Sequence, residues 1–303
     1  MKRRVVEQGG LTLMVSLPRK WAKKHNLKKG DEIDLKEEEE KIVIYAEEKE
    51  SPVMKATLNI TDLRPMTFNY CLLGLYVKGV DEIEVRSDDL DKLNKLDFPV
   101  NQLIGYEIVS QNQSSVLIKD VSTLAEGEFD IMLRRSFLII TQMAEGLLEL
   151  MKNKECNTSR IEQMDLSVNK FMFLCMRIVH KLGCSEESKS KVLFYTLLTL
   201  EQLSDNLDDL AQYIRENKVL FHKKAIDLFG IITDLLNQYQ KLFYKFDLLK
   251  SADVENSYRE LKTDFDKYMD KIEDKKQLRC LMYMHTIADQ IVELIRNQRI
   301  TEL

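Results

Sequence analysis

Apolar and polar residues change rhythm twice along this chain. Over residues 1–50 the apolar runs are short. Arg4–Gln8 and Leu11–Leu17 read as strands on either side of a Gly9-Gly10 turn, and Pro18 opens a short amphipathic helix reaching about Asn26. Gly30-Asp31 marks a turn, after which Glu32–Lys36 and Lys41–Ala46 read as a hairpin across the acidic loop Glu37–Glu40. So few residues in short strands cannot bury enough apolar surface to be stable alone, so a second copy of the chain is expected to complete the core.

From 51 to about 125, strand and helix alternate. Ala56–Ile60, Glu82–Arg86, Tyr106–Ser110 and Ser115–Lys119 are strand-like; Met66–Val77 and Asp89–Leu103 are helix-like, with Pro99 interrupting the latter. This predicts a small α/β unit. No nucleotide fingerprint or catalytic cluster marks it, and its role stays unassigned. Beyond Glu126 there is no proline, and the apolar period becomes helical, with stripes such as Met172, Cys175, Met176, Val179 and Leu193, Leu197, Leu200, Leu203, Leu207, Leu210. Six helices are expected, at about 128–152, 157–182, 187–216, 219–248, 252–273 and 276–300. Breaks are expected at Asn153–Asn157, Gly183–Glu186, Glu216–Lys218, Lys250–Ala252 and Asp274-Lys275. Short connections predict antiparallel neighbours in a bundle, and the similar lengths admit two sets of three. The fold class is therefore multidomain α+β, with expected domains 1–50, 51–125 and 126–303.

Composition adds a location and a polarity. The 303 residues are 44% apolar and 31% charged, as in a soluble globular protein. No apolar stretch is long enough to span a bilayer and the first residues lack a secretion signal, so a cytoplasmic protein without membrane insertion is expected. Cys71, Cys156, Cys175, Cys184 and Cys280 are scattered without C-x-x-C spacing, which suits free thiols in a reducing compartment. The net charge of −5 divides unevenly: residues 1–29 carry +8 and the remainder −13. A basic head on an acidic body points to a polyanion meeting the head.

The head's candidate DNA contacts are Lys2, Arg3, Arg4, Arg19, Lys20, Lys23 and Lys24, with Lys28 and Lys29 adding phosphate-neutralising charge. Arg3 and Arg4 suit base edges or a narrow minor groove, and Lys20, Lys23 and Lys24, at helical spacing, suit phosphates. The same residues could instead form a solvated basic face. Trp21 reads as a core anchor. The ordered set GLTLMVSLP over Gly10–Pro18, then Leu27, Lys28, Gly30 and Asp31, resembles the AbrB, MazE and SpoVT swapped-hairpin family. That resemblance implies two chains interleaving their hairpins into one barrel, of which this chain supplies half, and basic residues of the dimer meeting DNA.

On the third expected long helix, Glu201 and Asp205 lie one turn apart, and Asp208 and Asp209 extend that face. Like charges at this spacing repel, and a hard cation would offset the repulsion, although E-x-x-x-D also occurs on solvated helix faces. The segment Leu200–Asp205 resembles the Leu-Glu-Arg-Ile-Gly-Asp-type motif of PhoU proteins, with Gln202 where Arg is usual, and Asp165 followed by Val168-Asn169 resembles that family's second-helix pattern. In the second set of helices Asp289 is kept and His285 stands where Glu is usual. The resemblance implies an archaeal-type PhoU-like body of two three-helix repeats with Fe, Zn, Mn or Mg ions at these positions. It also implies a role in restraining phosphate uptake, with the phosphate ABC transporter ATPase as a partner. His25, His180 and His222 read as structural. Joined to a DNA-binding head, such a body predicts a homodimeric transcriptional regulator of phosphate uptake. The alternative is an adaptor that dimerises through its head without binding DNA and negatively regulates the transporter. No P-loop, nucleophile elbow or HExxH pattern occurs, so no enzymatic activity is expected.

Overall fold

The computed structural model describes residues 2–10, 12–38, 41–45, 53–122, 126–152, 158–182 and 187–303. The expected breaks at Asn153–Asn157 and Gly183–Glu186, together with Glu39, Glu40, Ala46, Cys156 and Cys184, lie outside the described residues. The chain divides into two compact units, Met1–Val53 and Met54–Leu303.

In the first unit β1 (Val5–Gln8) pairs antiparallel with β2 (Thr12–Val15). Gly9 and Gly10 turn between them at φ +67° and +80°, values that side chains resist. Pro18 precedes α1 (Arg19–Lys24), and β3 (Asp34–Glu38) pairs with β4 (Lys41–Tyr45), so β3 continues two residues into the expected acidic loop. The Lys28–Asp31 turn closes as the Lys28 N–H donates to the Asp31 carboxylate at 2.7 Å, with Gly30 at φ +98°. The hairpins are separate two-stranded sheets, and no barrel closes among the described residues. None of this unit's described side chains is buried; Leu13 and Ile42 are 73% and 66% exposed.

The second unit begins with β5 (Lys55–Asn59), α2 (Pro65–Val77), β6 (Glu82–Arg86), α3 (Leu90–Leu93), α4 (Asp97–Asn101), β7 (Tyr106–Gln111) and β8 (Ser115–Asp120). The sheet order is β5-β6-β8-β7, with β5 and β6 parallel and the other pairs antiparallel. Ile83, Val85, Val116 and Ile118 form the buried face, packed with Phe68, Leu72 and Tyr76 of α2. On the opposite pleat Glu82 bridges Lys55 at 2.8 Å and Lys119 at 2.9 Å. The helix expected over Asp89–Leu103 is two short ones. It breaks at Asn94–Leu96 rather than at Pro99, which sits in the first turn of α4, where no amide donor is needed.

Six long helices follow: α5 (Glu126–Met151), α6 (Thr158–Leu182), α7 (Glu187–Asn217), α8 (Lys223–Tyr244), α9 (Leu248–Met269) and α10 (Lys275–Glu302). The break expected at Lys250–Ala252 falls at Lys245–Asp247, because the Asp247 carboxylate caps α9 by accepting from the Leu249 and Lys250 amides. Helices α5, α6 and α7 pack on one another, as do α8, α9 and α10, and the sets meet where α7 packs on α10 and α5 on α8. This is the expected division into two sets of three. No helix among the described residues is long and apolar enough to cross a membrane.

The α/β layer is fastened to the bundle by one buried cation. Arg177 of α6 is fully buried. It donates to the Tyr76 carbonyl at 2.5 Å, the Val80 carbonyl at 2.9 Å and the Asp120 carboxylate at 2.6 Å. Its guanidinium carbon lies 4.8 Å from the Tyr76 ring centre and 5.2 Å from that of Tyr106. One turn on, Lys181 pairs with Asp81 at 2.6 Å and passes so close to Gly79 that a Cβ there would meet its Cγ at 2.6 Å. Arg177→Met would strand the Asp120 carboxylate and two carbonyls, and is expected to cost about 3–5 kcal/mol. The loss should appear as a lower denaturant midpoint, and adding Asp120→Asn should restore part of it. Strictly additive losses would mean that Asp120 does not depend on Arg177.

Candidate nucleic-acid interface and acidic site

Two groups of side chains carry chemistry, one in each unit. In the first unit Lys2, Arg3 and Arg4 precede β1, and Arg19, Lys20, Lys23 and Lys24 lie on α1; all seven are exposed, as are Lys28 and Lys29. The strands beside them present Val5, Val6, Leu13, Met14 and Val15 to solvent. Trp21 is half-buried, its ring 4.9 Å from that of His25, so it anchors the inner side of α1 while the cations leave from the outer side.

The acidic group lies in the seam between α6 and α7. Helical periodicity turns Asp165 and Val168 inward on α6 and Leu200, Leu203, Ser204 and Leu207 inward on α7. The Ser204 hydroxyl lies 2.8 Å from Asp165 Oδ1, and the Asn169 amide donates to Asp165 Oδ2 at 3.0 Å and to Asp205 Oδ1 at 3.5 Å. Glu201 is half-buried, Asp208 is buried, and Asp205 and Asp209 are exposed. Gln212 donates to Asp208 Oδ2 at 2.6 Å, while Asp208 Oδ1 and the Asn169 carbonyl oxygen are buried without a hydrogen-bond partner.

Burial, reinforced by the charges of Asp205 and Asp208 and opposed by the Ser204 and Asn169 hydrogen bonds, raises the Asp165 pKa to about 7. Burial, with the charges of Asp205 and Asp165, raises Glu201 to about 8. Burial raises Asp208, and Asp205, exposed at the edge of the seam, is raised by partial desolvation and the charge of Asp209. These side chains share one low-dielectric seam, and their hydrogen-bond partners there are a hydroxyl and side-chain amides rather than cations. A hard cation or a pair of protons is stabilising in such a place. Among the described residues, however, no three His, Cys, Asp or Glu side chains are placed to hold a metal ion.

The structure thus brings Glu201, Asp205 and Asp208 into one seam with Asp165, whereas Asp209 extends the row outward. The other two candidates lie elsewhere, on α10 against α9. His285 Nδ1 is 3.3 Å from Asp289 Oδ2, and the Tyr258 hydroxyl of α9 donates to Asp289 Oδ1. His180 and His222 are exposed, and Cys71, Cys175 and Cys280 are free thiols. Sequence reasoning missed Arg177, which hides in an apolar stripe, and Tyr258, whose partner is 31 residues away.

Residues 8–52 match the MazE antitoxin family model, described as antidote-toxin recognition MazE, bacterial antitoxin. The N-terminal unit is therefore similar to a MazE domain over these residues. No curated protein and no solved structure matches the chain.

The acidic seam sets a pH dependence. Asp165 and Glu201 have folded pKa values of about 7 and about 8, above their ordinary 3.8 and 4.5. The folded chain then holds more protons than the unfolded one between about pH 4 and pH 8, and stability falls as pH rises through that window. Glu201→Gln removes one of these titrations. It should leave the thermal midpoint little changed at pH 5 and raise it by a few degrees at pH 8.5 in metal-free buffer. A lower midpoint than the parent at pH 8.5 would contradict this account.

Proposed function

We propose that this protein is a homodimeric DNA-binding regulator of phosphate uptake, whose PhoU-like helical body takes up a metal ion in the α6–α7 seam. The observation that carries the first half is in the head: apolar strand faces left unburied in one chain, beside nine exposed Lys and Arg side chains. A second copy would bury those faces and pool the cations into one surface. MazE/AbrB-like domains dimerise and bind DNA, which supports the same reading. Arg3 and Arg4, ahead of β1, are the candidate base-edge or minor-groove contacts, and the α1 cations the candidate phosphate contacts.

The reading of the body is supported by its two packed three-helix sets and by the motif at Glu201–Asp205, with its counterpart at His285–Asp289. The seam's donors are oxygens, and its orphaned acceptors suit a hard cation such as Fe, Mn or Mg, and Zn less well. Asp208, with its unpartnered Oδ1, would hold it together with Glu201, Asp205 and Asp165, after Asp165 and Asp205 turn away from their Ser204 and Asn169 hydrogen bonds. A bound ion would supply positive charge to this seam. The phosphate ABC transporter ATPase is the proposed protein partner.

A second reading has its own support. The matching family is described by recognition between two proteins, which favours a head that only pairs chains and a body that acts as an adaptor on the transporter. A titration of purified protein on promoter DNA of phosphate-transporter genes separates the two. Regulator binding should weaken with a log–log salt slope of about −0.9 per phosphate neutralised. Lys23→Ala should make that slope shallower by about one for each phosphate no longer neutralised, without changing sequence preference. Arg3→Ala should relax preference by about 1–3 kcal/mol at one position. Affinity indifferent to salt, with transporter ATPase captured and no footprint, would establish the adaptor instead.

A further inference from the structure

The two three-helix sets carry one motif in one register, yet the seams differ in chemistry. Placing Glu201 on His285 puts Leu203 on Ile287, Asp205 on Asp289, Asn206 on Gln290 and Asp208 on Val292. The equivalence is spatial as well: the Asn206 side-chain amide of α7 donates to Gln290 Oε1 of α10 at 3.2 Å, so matched positions touch where the halves meet.

Across this relation the first seam loses its inner acids. Ser204, which bridges to Asp165, becomes Ala288; buried Asp208 becomes Val292; Glu201 becomes His285. Two carboxylates are kept: Glu293, at the position of exposed Asp209, and Asp289, whose Oδ1 accepts from the Tyr258 hydroxyl and whose Oδ2 lies 3.3 Å from His285 Nδ1. The His285 ring is braced edge-on by Phe265, with centres 5.8 Å apart. Neighbouring carboxylates have cations of their own: Glu255 meets Arg299 at 2.6 Å and Arg259 at 3.2 Å, and Glu293 lies 3.8 Å from Arg296. In the first seam the buried Asp208 Oδ1 and Asn169 Oδ1 lack partners; in the second, exposed Asp289 is held by the Tyr258 hydroxyl with His285 beside its other oxygen.

We propose that the two repeats have divided their roles: only the α6–α7 seam is a cation site, and Tyr258–Asp289–His285 is a fixed strut that ties α9 to α10 and takes no metal. A cation at Asp289 would have to displace the Tyr258 hydroxyl, crowd the His285 ring and then find further ligands where this seam offers Ala288 and Val292. The strut replaces the cation with donors that belong to the protein. The part of this proposal that concerns the α6–α7 seam rests on the reading given under Proposed function; the strut does not.

The test compares equivalent positions in the full-length protein at pH 8.5 without added metal. Asp289→Asn and Tyr258→Phe should each lower the thermal midpoint by a few degrees, and the double variant should lose less than the sum. Glu201→Gln, at the position of His285, should shift the midpoint the opposite way. Equilibrium dialysis against Mn(II) should then find uptake per chain unchanged in Asp289→Asn and His285→Ala, and affinity weakened about tenfold or more in Asp205→Asn. A stabilised Asp289→Asn, losses that add fully, or Mn(II) uptake reduced by His285→Ala would overturn the proposal. A parent protein that takes up no Mn(II), with the Tyr258–Asp289 coupling intact, would refute the cation site and leave the strut standing.

Discussion

A charge taken out of water must be met by another polar group, and helix α6 poses that problem twice. At Arg177 the answer is complete apart from Nε: two carbonyls, a carboxylate and two aromatic faces surround the guanidinium. At Asp165 the answer is partial, because the groups around it are a hydroxyl, an amide and further carboxylates. Removing one partner from a satisfied buried pair costs several kcal/mol, whereas an under-satisfied acid is relieved by a proton or a cation. The first arrangement fastens the α/β layer to the helices; the second leaves carboxylates of the α6–α7 seam with raised pKa values. Both follow from which way the side chains leave one helix.

The head meets the opposite difficulty. Its strands are apolar, yet a single chain buries none of their described side chains. A two-stranded hairpin is marginal in water, and this unit has two that do not pair with each other. A second chain would offer these apolar faces a partner surface of the same kind at no cost in new sequence. Pairing would also concentrate nine Lys and Arg per chain, and like charges held together are tolerated where a polyanion meets them. Apolar exposure and cationic crowding thus point to one assembly.

Much of the fold is legible along the chain because its periods are clean. The strands of the α/β layer and the six long helices fall within a few residues of where alternation and helical spacing place them. Misplacements have local causes. Leu248 and Leu249 extend the apolar pattern of α8, yet Asp247 caps a new helix just before them, so the break moves upstream. Pro99 looks like a breaker and instead occupies a first turn. The acidic pair Glu201 and Asp205 is visible because one helical turn suffices to align them. Asp208 is visible as a charge, but its burial depends on the neighbouring helix. Arg177 and Tyr258 are invisible for the same reason: their meaning lies in partners on other elements, Asp120 and Asp289, which no spacing rule connects.

The separation along α6 bears on how the acidic seam could influence the rest of its unit. Asp165 and Arg177 are twelve positions apart, roughly 18 Å of helix at 1.5 Å per residue. Solution screening acts over about 8 Å at physiological ionic strength, so a charge change at Asp165 reaches Arg177 weakly through any solvated path. A displacement is different, because a helix packed along its length moves as a rod. Uptake of a cation would draw the α7 carboxylates toward Asp165 and bear on α6 as a body. At the far end Arg177 and Lys181 grip Asp120 and Asp81, and Asp81 in turn accepts the Met54 amide at the first residue of the compact unit. The same helix that buries the unsatisfied acid also grips the residues that fasten Met54, so within residues 54–303 displacement of α6 outweighs the screened field as the way the seam acts at a distance.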